Sequence, residues 1–260
     1  MSFNTWTPAE LSASAIAVDA AVWRAVEAQH RVSTMKLVDS VAEQQVLEAI
    51  LEDTKPALPD GAEGLDYLLF TPFRYTQRNP WPSRFRRAHA PDGVFYASAS
   101  PEAAMAEIAF HRRLFFAESP ATPKPTNPME YTAFAVQIRT GKGLDLTRPP
   151  LDRDRSRWTD PENYGACHAL ADRAREAGIQ VICYLSVRDL QHRLNYAVLS
   201  PGAFGQNRPF ALQTWRMHIR DDGGVLAKCE MPVIGLAFGP HDFDVDSRLR
   251  AAGSGPSITF

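Results

Sequence analysis

A single carboxylate, Glu107, stands inside the apolar helical run Ala103-Ala104-Met105-Ala106-Glu107-Ile108-Ala109-Phe110, shortly after an arginine-dense loop holding Arg74, Arg78, Arg84, Arg86 and Arg87. A helix that is apolar on every side is a buried one, and an acid placed in it is costly unless something uses it. Guanidinium groups pair with phosphate oxygens through fixed, forked hydrogen bonds. Together these residues describe a pocket for a phosphorylated ligand, with arginines on the phosphate and the carboxylate acting elsewhere on the molecule. Tyr75 and Tyr96 offer aromatic faces for a ring to stack on. Ser186, at the end of an expected strand, offers a hydroxyl for a polar ligand group. It lacks the Gly-x-Ser-x-Gly turn and the partnered histidine of a nucleophile.

Each residue alone also has a plainer reading. Glu107 is as readily a buried acid paired with a core arginine. An arginine cluster is more often solvated surface, and Arg78, Arg86 and Arg87 are read that way. Tyr75 and Tyr96 are by default core aromatics, and Ser186 an ordinary turn serine. The seven histidines show no spacing such as His-Glu-x-x-His, so no metal site is expected. His111 lies one turn past Glu107, within hydrogen-bonding reach, and reads first as an exposed helix-end residue.

The elements that must position these groups follow from periodicity and capping. Ile16 to Gln29 reads as a helix. A second helix opens at Ser40-Val41-Ala42-Glu43 and runs until Lys55-Pro56. After a Pro- and Gly-containing connector, Tyr67–Phe70, Val94–Ala97 and Tyr131–Ile138 carry the aromatic and β-branched content of strands. The helix bearing Glu107 starts with Ser100 as N-cap, Pro101 in the first helical position and Glu102 in the first turn. A Pro-rich loop fills Ala117 to Met129. Leu144-Asp145-Leu146 reads as a short strand, Thr159-Asp160-Pro161-Glu162 as the opening of a helix ending at Gly178, and Val181–Leu185 as a buried strand. Leu212–Arg220 and Val225–Glu230 flank the turn Asp221-Asp222-Gly223-Gly224, a hairpin signal.

The chain has 260 residues, 45% of them hydrophobic, and can bury a substantial core. Its net charge of −2 makes the arginine density local, which fits a small anion better than a long nucleic acid. The three scattered cysteines, Cys167, Cys183 and Cys229, form no disulfide or zinc pattern, so a reducing cytoplasm is the expected setting. The N-terminus lacks an export signal and no apolar run is long enough to span a bilayer, so neither export nor a membrane span is expected.

Read in order, the blocks Phe73-Arg74-Tyr75, Ser83-Arg84-Phe85, Val94-Phe95-Tyr96-Ala97, Ala104-Met105-Ala106-Glu107, Leu144-Asp145-Leu146, Ser186-Val187-Arg188 and Asn195-Tyr196-Ala197-Val198-Leu199 resemble the RES domain, over roughly residues 66 to 204. That family, named for its Arg, Glu and Ser, includes toxins of bacterial toxin–antitoxin pairs that destroy NAD by phosphorolysis or hydrolysis, and one kind that ADP-ribosylates a protein. The resemblance implies an α+β fold: an ADP-ribosyltransferase-like core of two antiparallel sheets with flanking helices. Here the expectation is an N-terminal helical extension over residues 1–64 and a catalytic domain over 65–260, its hairpin at 212–230. Matched by motif, Arg74 and Arg84 become pocket arginines, Tyr75 and Tyr96 the aromatic wall, Glu107 the acid and Ser186 the serine. Arg188 and Asn195 match shorter blocks as ligand-binding residues. The family often has glycine before the second arginine, where Pro82-Ser83 stands here.

The implied activity is cleavage of the nicotinamide–ribose bond of NAD, with no resident cofactor and with inorganic phosphate as an optional co-substrate. Ser186 would then bond the carboxamide or phosphate. A cognate antitoxin follows as partner, and with it nucleic acid only indirectly; the N-terminal helices would cover the site or form a homo-oligomer. Two other readings stay open. A protein ADP-ribosyltransferase would use the same cleft with a side chain as acceptor, although Met105, two positions before Glu107, is not the second acid of a Glu-x-Glu pair. A nucleic-acid-binding protein would make the basic loop its surface and Glu107 structural.

Overall fold

The computed structural model describes residues 6–28, 37–74 and 80–253, and Tyr75 and Arg78 of the sequence reading lie outside them. The strands among the described residues join into one eight-stranded sheet in the order β1-β2-β5-β4-β3-β6-β7-β8. They are β1 (Ile16–Glu27), β2 (Phe95–Ser98), β3 (Met129–Asp145), β4 (Val181–Leu185), β5 (Leu194–Val198), β6 (Ala211–Ile219), β7 (Val225–Cys229) and β8 (Ile234–Phe238). β1 also pairs with β3, so β1, β2, β5, β4 and β3 close into a ring, and β6–β8 extend from it as an open flap. The two separate antiparallel sheets implied by the resemblance are therefore replaced by one sheet, and it contains a parallel pair, β3 with β4. The mixed α+β class holds.

The first large difference from the sequence reading is β1, which was expected to be a helix. Its buried residues Val18, Val22 and Ala25 fall at a spacing that also suits a helix. The β-branched residues Ile16, Val18, Val22 and Val26 nevertheless share one side of an alternating chain, and they meet β3 in antiparallel register from Ile16 opposite Gly143 to Glu27 opposite Tyr131. Long-range pairing overrides the local period. Residues 1–64 are consequently not a separate helical extension, because β1 closes the ring. The second difference is Tyr67–Phe70, which lies in helix α3 (Tyr67–Arg74) instead of a strand. The Asp66 side chain accepts the Leu68 amide at 2.9 Å, opening the helix, and Leu69 and Phe73 turn inward.

Other expectations match. α2 (Val41–Asp53) starts at Ser40, and α4 (Pro101–Glu118) starts at Ser100, whose Oγ accepts the Ala103 amide at 3.2 Å. The hairpin joins β6 to β7. The helix expected from Thr159 begins later, as α6 (Gly165–Glu176), because Asp160 Oδ1 folds back to accept the amides of Glu162 and Asn163. α6 ends at Gly178 in the left-handed region, with the Ile179 amide reaching the Ala174 carbonyl. Short helices α1 (Pro8–Ala13), α5 (Arg155–Trp158) and α7 (Ser247–Gly253) complete the set.

Three clusters make the core. One face of the ring strands, including Val22, Phe95, Phe134, Val136 and Val198, packs inside the ring and against Leu69 and Phe73 of α3. Gly93 makes that seal feasible: a Cβ there would sit 2.3 Å from the Pro72 carbonyl oxygen and 2.5 Å from Phe73 Cα. The outer face of β4 and β5 packs against α6 and α1, and α4 packs across the flap through Met105, Phe110, Trp215, Phe238 and Phe243.

Candidate functional site

α4 brings Glu107 to the sheet. Its neighbours Ala103, Ala104, Met105, Ala106, Ala109 and Phe110 are buried, which fixes the helix's rotation and depth. Glu107 Oε1 accepts two hydrogen bonds, from Ser186 Oγ at 2.6 Å and from Asn195 Nδ2 at 2.7 Å. Bonds to a carboxylate contribute about 1.5–3 kcal/mol each, so the pair defines one rotamer. Among the described residues no protein group hydrogen-bonds Oε2. The acid is thus fixed by one oxygen and available at the other.

Both donors are themselves held. Asn195 Oδ1 accepts Ser98 Oγ at 2.7 Å, which orients the amide so that its NH₂ faces Glu107. Ser186 Oγ accepts the amides of Arg188 (3.2 Å) and Asp189 (2.9 Å), leaving its proton for Glu107. The turn from β4 to β5 enforces this. The Ser186 amide bonds the Arg193 carbonyl, and His192, at a φ of 50°, places its Nδ1 3.0 Å from the Ser186 carbonyl oxygen. Asp189 closes the same turn by accepting three bonds from Arg193, at its amide, Nε and Nη2.

Glu107 opens onto a cleft of about 730 Å³ between α4, the β2–β5–β4 surface and the 81–84 and 160–164 loops. Tyr96 and Tyr184 form part of its wall. Tyr96 Oη is 2.9 Å from Ser83 Oγ and accepts the Phe85 amide at 2.9 Å, which ties the wall to the arginine loop. Burial raises the pKa of both phenols, and the charge of Glu107 adds to the rise at Tyr184, so both keep their protons near neutrality. His111 also lines the cleft. Desolvation lowers its pKa against the opposing pull of Glu107.

The expected arginines divide. Arg84 lines the cleft, its Nη1 bonded to the Trp158 and Asp160 carbonyls at 2.8 Å each and its guanidinium 4.7 Å from the Tyr164 ring centre. Arg84 follows Pro82-Ser83 on a turn closed by reciprocal backbone bonds between Ser83 and Arg86. Arg188 is buried against the Phe110 ring at 3.6 Å and bonds Asp246 Oδ2 at 2.9 Å, while its buried Nη1 has no hydrogen-bond partner among the described residues. Arg74 is not in the cleft. Its Nη1 bonds Glu52 Oε1 at 2.5 Å and its Nε the Pro56 carbonyl at 2.6 Å, so it fastens α2 to α3. Ser186 is fully buried and is not among the residues lining the cleft, which it meets through its bond to Glu107.

Sequence reasoning missed Arg24 of β1. It lines the cleft, bonds the Tyr96 carbonyl oxygen through Nη1 at 2.7 Å, and lies 5.0 Å from the Phe95 ring centre. Its Nε is buried without a hydrogen-bond partner, and no carboxylate pairs with it among the described residues. Burial lowers its pKa to about 10, so it remains a cation at neutral pH. The signal lay in the sequence as one arginine between Val22 and Val26, masked by the helical reading of that segment. Arg248 and Glu162 also border the cleft, and Glu162 accepts the Ser247 amide and hydroxyl at 2.8 Å, tying α7 to the 160–164 loop.

Against this geometry, the family model of the RES domain matches residues 57–220. The chain belongs to the RES domain family. The RES match carries Glu107, Ser186, Arg188 and Asn195, whereas Arg24 and Arg248 come from outside it. Among solved structures, the M. tuberculosis MbcT-MbcA toxin-antitoxin complex is similar at 13% identity, covering 79% of this chain and 89% of that one with a TM-score of 0.48. No curated protein sequence matches the chain. Among the described residues, no helix is long and apolar enough to cross a membrane.

Proposed function

We propose that this RES domain cleaves the nicotinamide–ribose bond of NAD, with inorganic phosphate or water as acceptor. The observation that carries the reading is Glu107, locked at Oε1 by Ser186 and Asn195 on the wall of a cleft that Arg24, Arg84 and Arg188 also line, Arg24 having no carboxylate partner among the described residues. A buried cation without a counter-charge, as Arg24 is among the described residues, costs several kcal/mol, and an anionic ligand offsets that cost. The diphosphate of a dinucleotide supplies the anion, and Tyr96 and Tyr184 supply walls for its rings.

When the C1′–N bond breaks, its electron pair goes to the pyridinium nitrogen, so nicotinamide leaves neutral and no general acid is needed. The ribose carbon becomes oxocarbenium-like, and the Glu107 carboxylate stabilises that charge or grips the ribose hydroxyls. The acceptor oxygen then bonds C1′, giving ADP-ribose from water or its 1-phosphate from phosphate. Arg84, Arg24 and Arg188, which line the cleft, would hold the phosphates. NAD is substrate here and the site requires no resident cofactor or metal. The family's toxins extend the proposal to a toxin of a toxin–antitoxin pair acting in the cytoplasm, with an antitoxin over the cleft and nucleic acid engaged only through that partner.

The nucleic-acid reading loses its main support. Arg74 pairs with Glu52 and Arg87 with Asp172, and Arg84 and Arg86 are buried, so the described loop arginines form no open basic surface. A transferase of the Glu-x-Glu type is disfavoured by Met105, which is fully buried in α4. The test is incubation of the purified protein with NAD, with and without phosphate, and identification of products by chromatography and mass. Nicotinamide release that disappears in Glu107→Gln supports the proposal, and the companion product separates phosphorylase from hydrolase. No nicotinamide release under either condition overturns it.

A further inference from the structure

We infer that Asp246 is a positioning residue for ligand binding: it holds Arg188 and Arg248 side by side at the cleft, and Arg248 is a further residue for a phosphate group of the ligand. The inference rests on the phosphate-bearing ligand of the proposed function, and it adds a part of the chain beyond residue 220, where the family match ends. Asp246 precedes α7 and caps it by accepting the Arg248 amide at 3.1 Å through Oδ1. A capping carboxylate needs no burial, yet Asp246 is fully buried. Its Oδ1 also accepts Arg248 Nε at 2.9 Å, and its Oδ2 accepts Arg248 Nη2 at 2.8 Å and Arg188 Nη2 at 2.9 Å. Taking a carboxylate and a guanidinium out of water is costly, and a buried pair adds little net stability over apolar packing. A helix of seven residues does not call for that arrangement. What it does achieve is to fix two cations in one place.

Arg188 is constrained from three sides. Its Nη2 also meets the Pro161 carbonyl at 2.5 Å, its guanidinium lies 3.6 Å from the centre of the Phe110 ring, and Asp246 is its carboxylate partner. Phe110 follows Glu107 by three residues on α4, and Leu249 of α7 packs in the same cluster as Phe110, so the cation is registered to the acid. Arg248 forms the outer half of the pair. Its side chain is 42% exposed and borders the cleft, and its Nη1 lies 3.7 Å from the exposed Glu118, a surface contact that contributes little and that a phosphate can replace. The charges of Glu107, Arg188, Arg248 and Asp246 all act on His111, which lines the cleft one turn past Glu107. The cation pair and the acid therefore serve one stretch of the cleft. Phosphate oxygens suit two neighbouring guanidiniums, whether they belong to the diphosphate of a dinucleotide or to inorganic phosphate.

The test is calorimetric titration of the full chain with ADP-ribose and, separately, with inorganic phosphate. Asp246→Asn keeps the shape of the side chain and removes its charge. It should weaken binding of one of the two ligands by about tenfold, the scale of one hydrogen bond to a charged group. Weakened ADP-ribose assigns the pair to the diphosphate, and weakened inorganic phosphate assigns it to the acceptor. The same substitution should add nothing in an Arg188→Gln/Arg248→Gln background, because its action passes through those residues. A role confined to stability would lower the melting temperature and shift affinity equally in both backgrounds. Arg248→Gln covers the case in which Asp246→Asn fails to fold: it should melt cooperatively and weaken the same ligand. Unchanged affinity for both ligands in Arg248→Gln overturns the inference, as does an Asp246→Asn effect that persists in the double-arginine background or a wild type that binds neither ligand. NAD cleavage is scored apart from this. A wild type that releases no nicotinamide yet binds ADP-ribose in an Asp246-dependent way overturns the cleavage reading and leaves the positioning role standing.

Discussion

Glu107, Ser186 and Asn195 act as a unit, and their substitutions should separate chemistry from support. Glu107→Gln keeps shape and most hydrogen bonding while removing the charge that faces the cleft. Turnover of NAD should fall by about 10²–10³-fold, the range seen when one electrostatic stabiliser is removed, with melting temperature little changed. Ser186→Ala removes a donor to Glu107 and the acceptor of two buried amides. It should lower both kcat and stability, the latter by about 1–3 kcal/mol, as read by single-turnover kinetics and urea unfolding. The arginines give a sharper contrast. Arg24→Ala should raise KM for NAD, whereas Arg74→Ala should leave KM unchanged, since its guanidinium serves α2. Because the pKa of Arg24 is lowered to about 10, ligand affinity should decline as pH rises through that value and the cation is lost; isothermal titration with Arg24→Gln as control checks this. The resemblance to the RES domain brought Glu107, Tyr96, Arg84, Arg188 and Asn195 together, and all five line one cleft. It could not show that Arg74 turns away to Glu52 or that Arg24 arrives from a distant strand, since both depend on pairing between segments far apart in sequence.

At the level of elements, the legible ones carry their own boundaries. α4 announces itself by Ser100, Pro101 and Glu102, and the β6–β7 hairpin by Asp221-Asp222-Gly223-Gly224. β1 and α3 were misread because their short apolar runs satisfy either period, and the decision is made by β3 in one case and by Asp66 and the ring interior in the other. α7 reaches the site through Asp246, which is fully buried and bonds both Arg188 and Arg248. Desolvation pushes the Asp246 pKa up, but the Arg248 hydrogen bonds and the charges of Arg188 and Arg248 outweigh it and the net shift is downward. A depressed folded-state pKa contributes stability that is full above the unfolded value and is lost as pH falls through the folded one. Asp246→Asn should therefore flatten the acid side of the stability–pH curve, below the ordinary aspartate range, as measured by thermal melts at fixed ionic strength.

For the molecule as a whole, the ring of β1, β2, β5, β4 and β3 makes the N-terminal segment indispensable even though the family match starts at residue 57. A chain beginning at residue 57 loses the strand that closes the ring, along with Arg24, and leaves β3 with an unpaired edge. It should express as aggregated or molten material, judged by dye binding and loss of near-ultraviolet circular dichroism, whereas the full chain unfolds cooperatively.

The Pro-rich, largely exposed stretch between α4 and β3 divides the cleft's contributors by chain position. Arg24, Tyr96 and Glu107 precede it, while Ser186, Arg188 and Asn195 follow it. A cut in that stretch would leave two fragments, one holding the acid and the other both groups that orient it. Neither half would carry a working site, so the protein is suited to fragment complementation, its activity serving as the readout of whatever brings the halves together.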